Sequence, residues 1–290
     1  MSGDPKIETD PHEDIDVPVL QRRRRVRLIP MLPSLVTLAN LFCGFLAIAY
    51  TADAVLLAGA DPNAAAQMIA RAGFLVMLAM IFDALDGRVA RITGQVSEFG
   101  GNLDSLADIV TFGVAPAFMT EALAEQILNL SNHRLTLAFC VFYVICAALR
   151  LARYGVEEDQ EETGHQTFLG LPTPGAAGVV AGIAVLYSRF SDWEASRYVI
   201  YALPFVVPLL GVLMISRVPY PHVMNRYFRG SKPMKYLVLF AGIVVVAVVM
   251  RSVEVVLAGL AIFYAMTGLL SFLIRLVTGR AKSADLEIFD

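Results

Sequence analysis

Four aspartates stand out by type and spacing. Asp83 and Asp86 are three residues apart, and Asp104 and Asp108 are four apart, in two apolar stretches joined by a short polar bend. On a helix, positions three or four apart share a face. Asp83, Asp86, Gly87, Ala90 and Arg91 therefore form one stripe, and Gly100, Asp104 and Asp108 form another. The bend from Thr93 to Glu98 is short enough to make the two helices antiparallel neighbours, so all four carboxylates converge. An Asp inside a spanning helix costs on the order of 2.5–3.5 kcal/mol. Carboxylates this close also repel, and a cation relieves that repulsion. A site built only of oxygen donors suits a hard cation, Mg²⁺ or Mn²⁺. Gly87, Ala90 and Gly100 leave bare helix surface beside the acids, room for a bulky ligand whose phosphate Arg91 could pair. The competing reading is ion pairing, with Arg88 and Arg91 neutralising Asp83 and Asp86 across the bend. Two acid pairs, each on one face and each flanked by small residues, favour the ligand set.

The elements that must position these acids are membrane helices. The chain is 57% hydrophobic and 17% charged, more apolar and less charged than a soluble domain, so a bilayer must cover the excess. Eight segments approach the ~20 apolar residues that a crossing needs: 33–58, 67–92, 99–125, 133–154, 171–190, 197–216, 235–251 and 253–277. The predicted fold class is an all-α integral membrane protein. Arg22, Arg23, Arg24, Arg25 and Arg27 precede the first span, and basic residues mark the cytoplasmic side. With that end in the cytoplasm, the Asp86–Gly101 bend, the Arg150–Thr167 and Arg217–Lys235 loops and the tail with Arg280 and Lys282 share its side. Both termini and the acids then face the cytoplasm. Residues 1–17 are polar, acidic and expected to be disordered, and no signal peptide is visible. Residues 18–31 read either as a short helix on the anionic leaflet or as a plain topogenic charge cluster. Cys43, Cys140 and Cys146 show no ligand spacing and read as small core residues. His133, His165 and His222 receive no catalytic role, and no nucleic-acid partner is expected.

The order D-x-x-D-G-x-x-A-R, eight residues, then G-x-x-x-D-x-x-x-D resembles the signature of the CDP-alcohol phosphotransferases, with every fixed position present. Within that family the chain is similar to the membrane-embedded bacterial enzymes that make phosphatidylserine. The supporting stretches are Leu32 to Phe45, Ser105 to Pro116, Leu149 to Tyr154 and Phe168 to Pro174. The resemblance covers roughly residues 30–180. It implies a six-helix catalytic core, here over 32–216; the two additional spans that hydropathy gives within 235–277 would be a C-terminal addition, set between a basic cytoplasmic loop over 217–234 and a cytoplasmic tail over 278–290. It also implies a homodimer in a bacterial inner membrane rich in anionic lipids.

The same resemblance implies a donor, CDP-diacylglycerol, and an acceptor, L-serine, giving phosphatidylserine and CMP. Asp83, Asp86, Asp104 and Asp108 would be the ligands of two divalent ions. Asp108 would also take the proton of the serine hydroxyl. Gly87, Ala90, Arg91 and Gly100 would hold the donor nucleotide. Thr37 and Asn40, polar groups within the first span, either line the nucleotide site or bond to a neighbouring helix. Arg150 and Arg153 end the fourth span on the side of the acids. A guanidinium suits bidentate binding of the serine carboxylate, and the alternative is a topology charge or a contact to lipid phosphate. Two other functions compete. One is the same transfer to glycerol 3-phosphate, inositol phosphate or choline. The other is a cation transporter with the acids as its ion path, against which stands the presence of the acid pairs in only one half of the chain.

Overall fold

The computed structural model describes residues 31–93, 97–127, 133–160, 170–190 and 194–216, together with 256, 259–267 and 270. The expected disordered N-terminus, the basic segment up to residue 30, the 217–234 loop, the seventh span, the tail, His165 and His222 lie outside the described residues. Among the described residues the structure is helical throughout, without strands. The first helix, α1, is Met31–Leu57, and α2 is Pro62–Thr93. The third crossing is built in pieces: α3 (Glu98–Asp108), a π-helical turn (Ile109–Val114), α4 (Ala115–Glu121) and a second π turn (Ala122–Ile127). Then follow α5 (His133–Gln160), α6 (Thr173–Arg189) and α7 (Glu194–Ile215). Five of the crossings are long and apolar enough to traverse a bilayer unaided. Helices occupy all of the first six expected spans, five of them those five crossings and the other α6, and the chain is an all-α membrane protein.

The centre of the bundle is α6. It has only 17 residues, about 26 Å at 1.5 Å per residue, yet every position from Gly175 to Val185 is buried. It packs against α2, α7 and α4. Small side chains permit this, since helices in lipid associate by close van der Waals contact rather than by hydrophobic expulsion. A Cβ on Gly73 of α2 would stand 2.8 Å from the Ala181 backbone oxygen, so α2 and α6 nearly touch backbone to backbone. Ala261, in the helical stretch 259–267, lies against Gly178 of the same helix. By contrast, the large apolar residues on the outer faces of α1, α5 and α7 are exposed: Phe42, Phe45, Ile145, Leu149 and Phe205. That inversion, small inside and large outside, is what a bilayer-facing bundle requires. The three cysteines are buried and free, as expected of core residues.

Two local features depart from the sequence reading. The helix α5 continues to Gln160, six residues past the expected end of its span at 154, so Arg150 and Arg153 stand within a helix rather than at its edge. The run Glu157, Glu158 and Asp159 is polar but compatible with helix, and a helix need not stop where the hydrocarbon does. The third crossing, expected as one continuous helix, contains two π turns, each of which inserts a residue and rotates the helix face that follows.

The turn entering α6 is fixed by Gly170. Its φ of +87° lies in the left-handed region, open to glycine and costly for other residues. Next to it, the Leu171 amide donates to the Leu213 carbonyl at 2.9 Å, tying the turn to the end of α7. A Cβ on Gly170 would collide with the Met214 carbonyl and stand 2.8 Å from that of Ser216. Gly170→Ala should therefore destabilise the protein by roughly 1–2 kcal/mol from the backbone conformation alone, more with the collision. The melting temperature of the purified protein in detergent should fall by roughly 2–8 °C. Gly59→Ala, where an added Cβ meets nothing within 4 Å, is the control and should leave it unchanged.

Candidate active site

The acids are delivered by the ends of two helices. α2 carries Asp83 and Asp86 near its C-terminal end. α3 starts with Ser97 as N-cap, whose hydroxyl accepts from the Gly100 amide at 3.0 Å, with Glu98 in the first turn. Both features stabilise a helix N-terminus, and they set where Asp104 and Asp108 fall one and two turns further on. The structure brings Asp83, Asp104 and Asp108 together, with one carboxylate oxygen of each within 4.8 Å of the others. Asp108 is buried and the other two are partly so. Asp86, expected in the same set, is buried with its carboxyl next to that of Asp104, and it accepts a hydrogen bond from the Thr37 hydroxyl at 3.0 Å.

The first helix organises the acids. Thr37 reaches Asp86, and three residues on, the Asn40 side-chain amide donates to Asp108 Oδ1 at 3.0 Å. Asn40 is fully buried, and among the described residues its own Oδ1 has no hydrogen-bond partner. A further turn along, Gly44 meets the π turn: a Cβ there would stand 2.8 Å from the Thr111 Cα, and the Thr111 hydroxyl donates to the Asn40 carbonyl at 3.3 Å. The π turn immediately follows Asp108, so one stripe of α1 holds the acids and the turn that aims them. Thr37 and Asn40 each bond to a neighbouring helix, and the groups they bond to are the acids themselves. Their spacing with Gly44 is visible in the sequence, but their targets are not.

The bare surface is also present. An added Cβ at Gly87 would meet nothing within 4 Å, and at Gly100 only the Ser97 hydroxyl, at 3.2 Å. Among the described residues no other helix packs on these glycines, which leaves space beside the acids for a ligand. Ala90 lies on the same stretch of α2, partly exposed. Arg91 is in the last turns of α2, and its side chain lies outside the described residues. Arg150 is buried and donates from Nη1 to the Thr173 hydroxyl at 3.0 Å. Arg153, one turn on, is partly buried. At the opposite end of the bundle His133 Nδ1 lies 3.4 Å from Glu121 Oε1 and 3.8 Å from Glu125 Oε2. Sequence spacing gave no hint of this cluster, because its members flank a loop.

The donor set fits a divalent ion. Three convergent carboxylate oxygens on rigid helices supply hard ligands, and a buried amide held against one of them is the kind of outer partner that fixes a ligand's orientation. Fold and site together define a polytopic membrane enzyme built around a carboxylate cluster that can hold a divalent metal. More specifically, the chain belongs to the CDP-alcohol phosphatidyltransferase family, whose profile matches residues 30–215. It is 31% identical over 256 residues to a CDP-diacylglycerol–serine O-phosphatidyltransferase of Helicobacter pylori, covering 88% of this chain and 97% of that protein. A protein of the same name from Mycobacterium tuberculosis is 33% identical over 219 residues, covering 74% of this chain and 68% of its own length. An archaetidylserine synthase of Methanothermobacter thermautotrophicus is 34% identical over 194 residues, covering 66% and 70%.

Because Thr37 and Asn40 act on the acids, their removal should weaken metal-dependent activity without dismantling the bundle. Thr37→Val and Asn40→Ala should each raise the metal concentration for half-maximal activity, or lower turnover, by roughly tenfold to a hundredfold. Metal titration of activity in purified protein checks this, with the melting temperature as the control for folding.

Proposed function

We propose that the protein transfers the phosphatidyl group of CDP-diacylglycerol to the hydroxyl of L-serine, releasing CMP and forming phosphatidylserine. The observation that carries this reading is the three-carboxylate cluster beside bare helix surface, in a chain whose relatives are named for that transfer. In this reading Asp83, Asp86, Asp104 and Asp108 would hold two ions, Mg²⁺ or Mn²⁺. A divalent ion held there would supply charge neutralisation to the donor pyrophosphate and to the leaving CMP. The serine oxygen attacks the phosphorus that carries diacylglycerol, and the bond from that phosphorus to the bridging oxygen of CMP breaks. Asp108 receives the serine proton. A carboxylate is a weak base for an alcohol, so proton transfer accompanies attack rather than preceding it. The Asn40 amide bond to Oδ1 keeps the Asp108 carboxylate in one orientation. Gly87, Ala90, Gly100 and Arg91 receive the nucleotide and its phosphates, and Arg150 or Arg153 receives the serine carboxylate.

The remaining assignments belong to the same proposal. The catalytic core spans 32–216, the acids face the cytoplasm with both termini, and the protein is a homodimer in a bacterial inner membrane containing anionic lipids. The basic loops support the orientation.

Purified protein supplied with CDP-diacylglycerol and a panel of alcohols should convert serine, and not glycerol 3-phosphate, inositol phosphate or choline, into a new lipid identified by mass. Excess chelator should abolish the reaction, with Mg²⁺ or Mn²⁺ restoring it. Full turnover in chelator would reject the metal assignment, and a different lipid product would reject serine.

Orientation has its own test. A cysteine at Ser231 should react with an impermeant thiol reagent only from the cytoplasmic side, and one at Asn63 only from the opposite side. Reversed labelling would put the acids on the wrong face for a cytosolic acceptor.

A further inference from the structure

The helical stretch 259–267 carries no recognisable motif, yet it reaches the site. Tyr264 lies on Gly175, where a Cβ would stand 3.2 Å from its ring. Its phenol also lies within the electrostatic field of the Arg150 guanidinium. Arg150 itself donates to Thr173, two residues before Gly175. Three elements therefore meet at one buried cation: the inner part of α5, the first turn of α6 and the last described helix.

Helix register places that meeting point at the depth of the acids. α5 runs antiparallel to the third crossing, with His133 beside Glu125 and Ala147 against Gly113. Arg150, one turn beyond Ala147, is then level with about Val110, within a turn of Asp108. α6 runs antiparallel to α2, with Val185 against Gly73 and Gly178 against Met80. Thr173, five residues before Gly178, is then level with about Leu85, between Asp83 and Asp86 in height or nearly so. A buried guanidinium is costly to place in a bundle core, and its geometry is set by the groups that hold it. Thr173 offers one hydroxyl acceptor. The Tyr264 ring covers the neighbouring surface of α6 at Gly175.

We propose that Thr173 and Tyr264 are positioning residues for the acceptor: they fix the Arg150 guanidinium at the height of the acids, where it receives the carboxylate of an amino-acid alcohol. This rests on the serine reading above, and it gives the last helix a part in acceptor selectivity. Loss of either hydroxyl leaves the cation in place but loosens it. A planar fork that must meet a carboxylate with two bonds is sensitive to that loosening, whereas an acceptor without a carboxylate is not.

The test compares L-serine with ethanolamine, the same alcohol without the carboxylate, in Thr173→Val, Tyr264→Phe and Gly175→Ala variants. The last removes no polar atom but presses a Cβ toward the Tyr264 ring. Each variant should raise the KM for serine about fivefold to twentyfold, leave the KM for CDP-diacylglycerol unchanged, and narrow the preference for serine over ethanolamine by a similar factor. Thr173→Ser, which keeps the hydroxyl, should restore serine affinity and also serves if the valine variant fails to fold. An unmoved serine KM in Thr173→Val and Tyr264→Phe, or equal shifts for donor and serine, would overturn the proposal and leave both residues as packing. The functional reading fails separately, if the unaltered protein makes no phosphatidylserine at all.

Discussion

Everything in this bundle answers to the repulsion among carboxylates held close together within a membrane protein. Three of them present oxygens within 4.8 Å of one another, and a fourth is buried beside them. Such repulsion is relieved by hydrogen-bond donors and by a cation. The protein supplies the donors from one helix. Thr37 and Asn40 each give a hydrogen to a different acid, and each acid belongs to a different neighbouring helix. Crosslinking two helices through a third converts an electrostatic liability into a fixed geometry. What those donors leave uncompensated is the negative charge available to a metal.

Holding that geometry requires helices that cannot shift by a fraction of a turn. Close packing supplies this, through backbone approach at Gly73 against Ala181 and at Gly44 against Thr111. The π turn after Asp108 adds a discrete rotation. It separates the orientation of the acids, at one end of the crossing, from the orientation of the packing face at the other. Tyr143, through its hydroxyl, donates to the Phe112 carbonyl inside that turn at 2.9 Å, so the wider turn is anchored from α5 as well.

Much of this was legible in the residues. The acids announce themselves because charged groups within apolar segments are rare, and their spacing assigns them to helix faces without any knowledge of the fold. The first six crossings follow from hydropathy. The roles within α1 were less legible: Thr37 and Asn40 are ordinary residues in a spanning helix, and only the packing of α1 against both α2 and α3 reveals what they touch. The π turns leave no mark in residue types, since Ile109 to Val114 would pass as regular helix. The extension of α5 past its span was missed because apolar periodicity ends at the membrane surface while helical hydrogen bonding does not.

The burial of α6 bears on how the chain enters the bilayer as it is made. Its segment holds Gly175, Gly178 and Gly182 with Ala176, Ala177, Ala181 and Ala184, side chains that gain little on leaving water for hydrocarbon. Lipid alone is a poor host for such a helix, and protein contact replaces what lipid does not provide. Its main partner, α2, precedes it in the chain and is already in the membrane when α6 emerges. Entry of the central helix thus leans on a helix that carries half of the acids and precedes it in the chain.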